Sequence, residues 1–187
     1  MRRLLFVAFV LLFGSSLALA QGGVIGLYAD PAGTECNVND LPGLIFIYVI
    51  HQYFPQGATS AEFMVNPAAG ANMIFLTDII PNPYIAWGNS QTGITIVFAG
   101  CVTTPNLILT MEYFGQGISP QCSLYEVLPD PAAAPPGEVW IWDCTPPSGN
   151  QIRATGGLIY VNPDPVQCSC TVPVEKTTWG GLKALYH

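Results

Sequence analysis

QCSLYEVLPDPAAAPPGEVWIWDC, residues 121–144, holds two strand-like runs on either side of a proline-rich connector. Folded back on itself, it sets Leu124 opposite Trp142, Glu126 opposite Trp140 and Cys122 opposite Cys144. Cysteines facing each other across two strands stand within the short span that a disulfide needs. The stretch therefore predicts a hairpin whose open end is closed by a Cys122–Cys144 bridge.

The flanking sequence continues in the same manner. Residues 23–29 (GVIGLYA) begin as a short strand, and the Pro, Gly, Asn and Asp of DPAGTECNVNDLPG after them predict a loop. Residues 44–53 (LIFIYVIHQY) are β-branched and aromatic with little polar alternation, which predicts a central strand buried on both sides. In residues 60–66, Ala61, Phe63 and Val65 alternate with Glu62, Met64 and Asn66, the period of a half-buried strand. Residues 72–80 give a further strand, and residues 93–102 and 106–114 flank TTP as a second hairpin. Residues 157–162 (GLIYVN) supply the last strand, and no internal repeat of fixed period is present.

Many short strands separated by turn residues, with hardly a helical pattern, predict an all-β fold, an antiparallel β-sandwich. An immunoglobulin-like or cohesin-like topology fits this pattern, and a jelly roll is the alternative.

The first residues read as a leader. Arg2 and Arg3 precede an apolar core from Leu4 to Phe13, and small residues lead to Ala18-Leu19-Ala20, the order of a secretory signal peptide with an A-x-A cleavage site. The alternative is an uncleaved anchor, but Gly14, Ser15 and Ser16 interrupt the apolar run. The expected organisation is a signal peptide over 1–20, a disulfide-braced sandwich over 21–172, and a linker and tail over 173–187. After signal removal no stretch is long and apolar enough to span a bilayer. A chain of this length buries about 70% of its unfolded surface, so it has a core without needing bridges.

Arg153, Lys176 and Lys183 are the basic residues beyond the leader, against twelve Asp and Glu. So acidic a surface repels nucleic acid and anionic lipid, which excludes both as partners. The expected compartment is secreted or cell surface, where six cysteines read as three bridges. Cys168 and Cys170 are too close in sequence to bond each other without strain, so they are expected to take Cys36 and Cys101 in some order; a Cys101–Cys122 bridge is the alternative. Zinc at Cys168-Ser169-Cys170 is disfavoured by the spacing and by oxidation, and no metal or cofactor is expected.

Catalytic constellations are weak. His51 ends an apolar strand and His187 is the last residue, with no G-x-S-x-G to supply a nucleophile. Glu62, Glu112, Glu126 and Glu138 have the spacing of ordinary outward-facing strand residues, not of a glycosidase pair. Asp30, Glu35 and Asp40 cluster in one loop, but without the order of a calcium-binding EF-hand. Aromatics offer the only ligand surface: Trp140 and Trp142 share a strand face, as a sugar platform or as core against Leu124, and Trp87 lies in an exposed loop.

Beyond Cys170 the chain runs TVPVEKTTWGGLKALYH, in which Trp179, Leu182 and Leu185 or Tyr186 recur at helical steps after Thr178. The last residues resemble the Thr-Trp-Gly-x-Ile-Lys-Ala-Leu-Tyr-Arg ending of many uncharacterised secreted bacterial proteins, with Leu182 for Ile and His187 for Arg. The resemblance implies an exported bacterial protein whose tail is read by export or attachment machinery; the alternative is a short terminal helix packed on the sandwich. Together these readings predict an exported, non-catalytic structural or adhesive surface module with a surface glycan or protein as partner. The alternative is a carbohydrate-binding module using Trp87, Trp140 and Trp142.

Overall fold

The structure, a computed structural model, describes residues 22–52, 56–67, 70–168 and 170. The expected leader and helical tail lie outside the described residues. Every regular element among those described is a strand: β1 (Val24–Tyr28), β2 (Asn37–Val38), β3 (Gly43–Gln52), β4 (Ala58–Pro67), β5 (Ile74–Ile79), β6 (Ile85–Asn89), β7 (Gly93–Val102), β8 (Asn106–Gly115), β9 (Ser123–Leu128), β10 (Val139–Asp143), β11 (Gln151–Gly156) and β12 (Leu158–Val161).

The strands form a sandwich of two layers. One layer runs β5-β8-β3-β1, all antiparallel. The other runs β6-β7-β4-β10-β11 and extends from the far half of β4 through β9 and β12 to β2. The sheet is mixed rather than wholly antiparallel: β1 joins the layers by running parallel to β11, and β2 runs parallel to β12.

The centre of the second layer is β4. One of its edges pairs with β7, as Ser60 with Val97 and Glu62 with Thr95. The other edge is taken by β10 from Ala58 to Glu62 and then by β9 from Met64 to Pro67. Strands β9 and β10 thus run in the same direction, end to end, along one neighbour.

The hairpin expected of residues 121–144 is therefore absent. Leu124 and Glu126 face Tyr160 and Leu158, whereas Trp140 and Trp142 face Glu62 and Ser60. The reason lies in the connector, which at ten residues is long for a hairpin and carries Pro129, Pro131, Pro135 and Pro136, none of which donates a ladder hydrogen bond. The prolines leave the sheet as an excursion, and each arm gains a partner on both edges: β9 between β4 and β12, β10 between β4 and β11.

The bridges follow this arrangement. The Cys122–Cys144 expectation is corrected: Cys101 pairs with Cys144, Cys122 with Cys168 and Cys36 with Cys170. Cys101–Cys144 ties β7 to β10, the two flanks of β4, across Gly57, where φ is +68° and an added Cβ would lie 2.7 Å from the Cys144 sulfur. The hairpin expected around TTP is also absent, because β7 pairs with β4 and β6 while β8 pairs with β3 and β5. Each of these strands turns its apolar residues inward from a different layer, and residues 103–105 carry the chain across.

The core fills the space between the layers. Ile25, Leu27, Ile47, Val49, Leu109 and Met111 from one side meet Ala61, Phe63, Val65, Ile94, Ile96 and Ile141 from the other. The alternation read in residues 60–66 is the one that buries Ala61, Phe63 and Val65. Tyr113 and Tyr125 close the interior with ring centroids 5.0 Å apart, and burial raises the pKa of both phenols, so they stay neutral.

Asp143 organises the turn from β10 to β11. Its carboxylate accepts from Asn150 N at 2.6 Å, Thr145 N at 3.0 Å and the Thr145 hydroxyl at 2.9 Å. These bonds, the Asn150 N–H first, pull its pKa from 3.8 down to about 2 against the effect of burial. A carboxylate with a depressed folded-state pKa stabilises the fold above its unfolded pKa and loses that contribution as pH falls through the folded one. Urea unfolding should find Asp143→Asn less stable than the parent at pH 6, with the gap narrowing as pH falls from 3.8 toward 2. A gap independent of pH would show that the charge of Asp143 contributes nothing.

Candidate interaction faces

Direct cross-strand partners share a face, so register alone assembles the outer surface of the second layer. Trp87, Thr95, Glu62, Trp140 and Arg153 form one row across β6, β7, β4, β10 and β11; Ile85, Val97, Ser60, Trp142 and Gln151 form the next. The three tryptophans singled out in the sequence stand on this one face, with three inter-strand steps, about 14 Å, between Trp87 and Trp140.

They are not equivalent. Trp140 is only 7% exposed, yet its core-facing neighbours are Val139 and Ile141, so it is covered from outside by the excursion of residues 129–138. Its indole N–H donates to Pro135 O at 2.7 Å. It does not pack in the core against Leu124, which lies on β9 opposite Tyr160. Trp142 is half-buried on the same face. Trp87 is 59% exposed, and it sits on β6 rather than in a loop, held by the ladder to β7. Glu62 lies between the tryptophans with its pKa raised, first by burial and then by Asp130, whose carboxylate occupies the space that a Cβ on Gly93 would need.

The outer surface of the first layer was not foreseen as a face at all. Residues 44–53 were expected to be buried on both sides, but Leu44 is 59% exposed and Phe46 is also open. Register places Leu44 beside Phe114 and Phe114 beside Ile74; the next rows are Phe46, Glu112, Thr77 and then Tyr48, Thr110, Ile79. Leu76, the extra residue of a bulge in β5, is exposed as well. Leu44, Phe46, Phe114, Ile74, Leu76 and Ile79 thus make a continuous open apolar surface with Glu112 in its middle. Monomeric soluble proteins seldom leave such a surface without a partner. The signal was in the sequence as the unbroken apolar run, which cannot by itself tell a covered face from an open one.

The other candidate groups are spoken for locally. His51 is buried, its Nε2 donates to Gly22 O at 3.1 Å, and burial lowers its pKa. The acidic loop does not converge on one point. Asp30 accepts from Thr34 N and Glu35 N of its own turn, whereas Asp40 accepts from the N–H groups of Gln116, Gly117, Ile118 and Ser119. Glu138 pairs with Arg153 at 3.2 Å on the exposed outer face, and Glu126 lies on β9 beside Asn66. Among the described residues no group of three or more His, Cys, Asp or Glu side chains is placed to hold a metal ion, and no helix is long and apolar enough to cross a membrane.

No protein-family model matches the chain, and no curated protein matches it. Among solved structures it is similar to a cohesin module from a Clostridium perfringens family 33 glycoside hydrolase, with a TM-score of 0.49 at 10% identity over 76% of this chain and 99% of that one. It is also similar to the sixth cohesin of Acetivibrio cellulolyticus scaffoldin B, solved in complex with a Cel5 dockerin mutant, with a TM-score of 0.48 at 17% identity over 77% of this chain and all of that one. The seventh ScaB type I cohesin of Pseudobacteroides cellulosolvens gives 0.47 at 14% identity over 81% and 94%.

Trp140→Ala should cost about 3 kcal/mol of stability, because it opens a space beneath the excursion and leaves Pro135 O without its donor. Trp87→Ala should change stability by no more than about 0.5 kcal/mol. Urea unfolding of the two variants checks this, and equal costs would contradict the separation of a structural from a free tryptophan.

Proposed function

We propose that the protein is an exported, non-catalytic adhesive module whose partner is a protein bound at the outer face of β3, β8 and β5. The observation that carries the reading is the open apolar surface of Leu44, Phe46, Phe114, Ile74, Leu76 and Ile79. Export is supported by the leader-like start and by six cysteines in three bridges, the usage of an oxidising compartment. A non-catalytic role is supported by the burial of His51 and by carboxylates engaged in backbone turns.

The chemistry of the face defines the partner. Its one charge is Glu112, and Arg153, the sole Lys or Arg among the described residues, lies on the opposite layer. A fitting partner presents an apolar ridge with a Lys or Arg set to meet Glu112. Binding to a panel of immobilised secreted and surface proteins should fall at least ten-fold, about 1.4 kcal/mol, in the Leu44→Asp/Phe114→Asp variant with its circular dichroism unchanged. Undiminished binding by that variant would rule this face out.

A second reading rests on a separate observation. Trp87 and Ile85 are exposed together on β6, next to Thr95 and Glu62, an aromatic platform with polar neighbours suited to a sugar ring. On a glycan array this reading expects a bound glycan that is lost on Trp87→Ala, and an array without any bound glycan would dismiss it.

A further inference from the structure

The outer face of β3, β8 and β5 is open at one end and covered at the other. Tyr28, Tyr48, Ile50 and Leu107 form a small cluster apart from the main core, and it contains both members of the Cys36–Cys170 bridge. Tyr48 continues the row of Leu44 and Phe46 along β3, so this cluster lies on the outer surface of the first layer. The loop before Cys36 crosses that surface as well, since a Cβ on Gly33 would meet Ile50 at 3.0 Å. The disulfide therefore pins the chain at Cys170 to the very face whose remainder is uncovered.

The segment after Cys170 has the composition that the face calls for. Residues 171–187 bring Val172, Val174, Trp179, Leu182, Leu185 and Tyr186, together with Lys176 and Lys183, the only lysines of the whole sequence. The open face offers six large apolar side chains around a single carboxylate, Glu112, with no cation of its own. Reach does not limit the match. The uncovered surface extends about 13 Å along β3 and about 10 Å across three strands, well within what the segment spans at about 3.3 Å per residue. A second copy fits less well, because face-to-face pairing would oppose one Glu112 to another between two acidic chains.

We propose that residues 171–187 lie across the outer face of β3, β8 and β5 of the same molecule, with their apolar side chains on Leu44, Phe46, Phe114 and Ile74 and a lysine against Glu112. The inference rests on the reading of that face as a binding surface and names its resident occupant. A protein partner then binds in competition with the chain's own segment, and its apparent affinity falls by the fraction of molecules in which the face is free.

Zero-length carbodiimide cross-linking of the whole exported chain, with peptide mapping of the monomeric fraction, tests the proposal. The expected product joins Glu112 to Lys176 or Lys183 within one molecule. It should disappear in Glu112→Gln and in the Leu44→Asp/Phe114→Asp variant, and a hydrophobic dye should bind several-fold more strongly to Trp179→Ser/Leu182→Ser/Leu185→Ser than to the parent. Lysines joined solely to other carboxylates such as Glu35 or Asp164, joined solely between molecules, or not joined at all would overturn it. If cross-linking fails while Leu44→Asp/Phe114→Asp still abolishes binding to the protein panel, the face remains a partner surface and the tail is not its occupant. If the cross-link forms and panel binding is unaffected by that variant, the occupant stands and the partner reading falls.

Discussion

Ten residues of β4 hold the two halves of the second layer together through backbone hydrogen bonding on both edges. One edge is given to β7, and the other is divided between β10 and β9. Because β9 and β10 lie in line, the chain between them has to leave the sheet and return, and its prolines suit it to run without ladder partners. That departure has two results: it lays a lid on Trp140, and it lets Cys101–Cys144 close around the start of β4 from both flanks. Cys122, released from the hairpin, is free to meet Cys168 in the chain beyond β12.

Much of the fold was legible because it depends on local periodicity. The alternation of Ala61, Phe63 and Val65 with Glu62, Met64 and Asn66 names the buried face of β4 correctly, and turn residues mark most strand ends. Pairing was less legible. Two apolar runs beside a turn-rich connector look alike whether they face each other or share a third strand, and only the non-local partner decides. The same limit explains the missed β6 and β11, whose sequences IAWGN and QIRATG are short and weakly patterned and depend on a neighbour for their conformation.

The candidate site was half legible for a related reason. Trp87 was expected to be exposed and is; Trp140 and Trp142 share a face, as their spacing requires, but the covering of Trp140 comes from a loop that sequence periodicity does not position. The apolar run at residues 44–53 was read as doubly buried. Its inner face, Ile45, Ile47 and Val49, is in the core, while Leu44 and Phe46 on its outer face are exposed. Apolar residues on both sides of a strand therefore do not by themselves say that both faces are covered. Only the ladder to β8 shows that the outer row also holds a single carboxylate, Glu112, beside Phe46.

The faces, the bridges and the lid over Trp140 all depend on β9 and β10 lying end to end along β4. Chymotryptic peptide mapping of the unreduced protein tests it directly, since Tyr113, Tyr125, Trp140 and Tyr160 separate the relevant cysteines. The expected products are a Cys101–Cys144 peptide pair and a second assembly in which the peptides of Cys36 and Cys122 are both joined to the one holding Cys168 and Cys170. A Cys122–Cys144 peptide pair would contradict it, because that bridge requires the two arms of residues 121–144 to face each other.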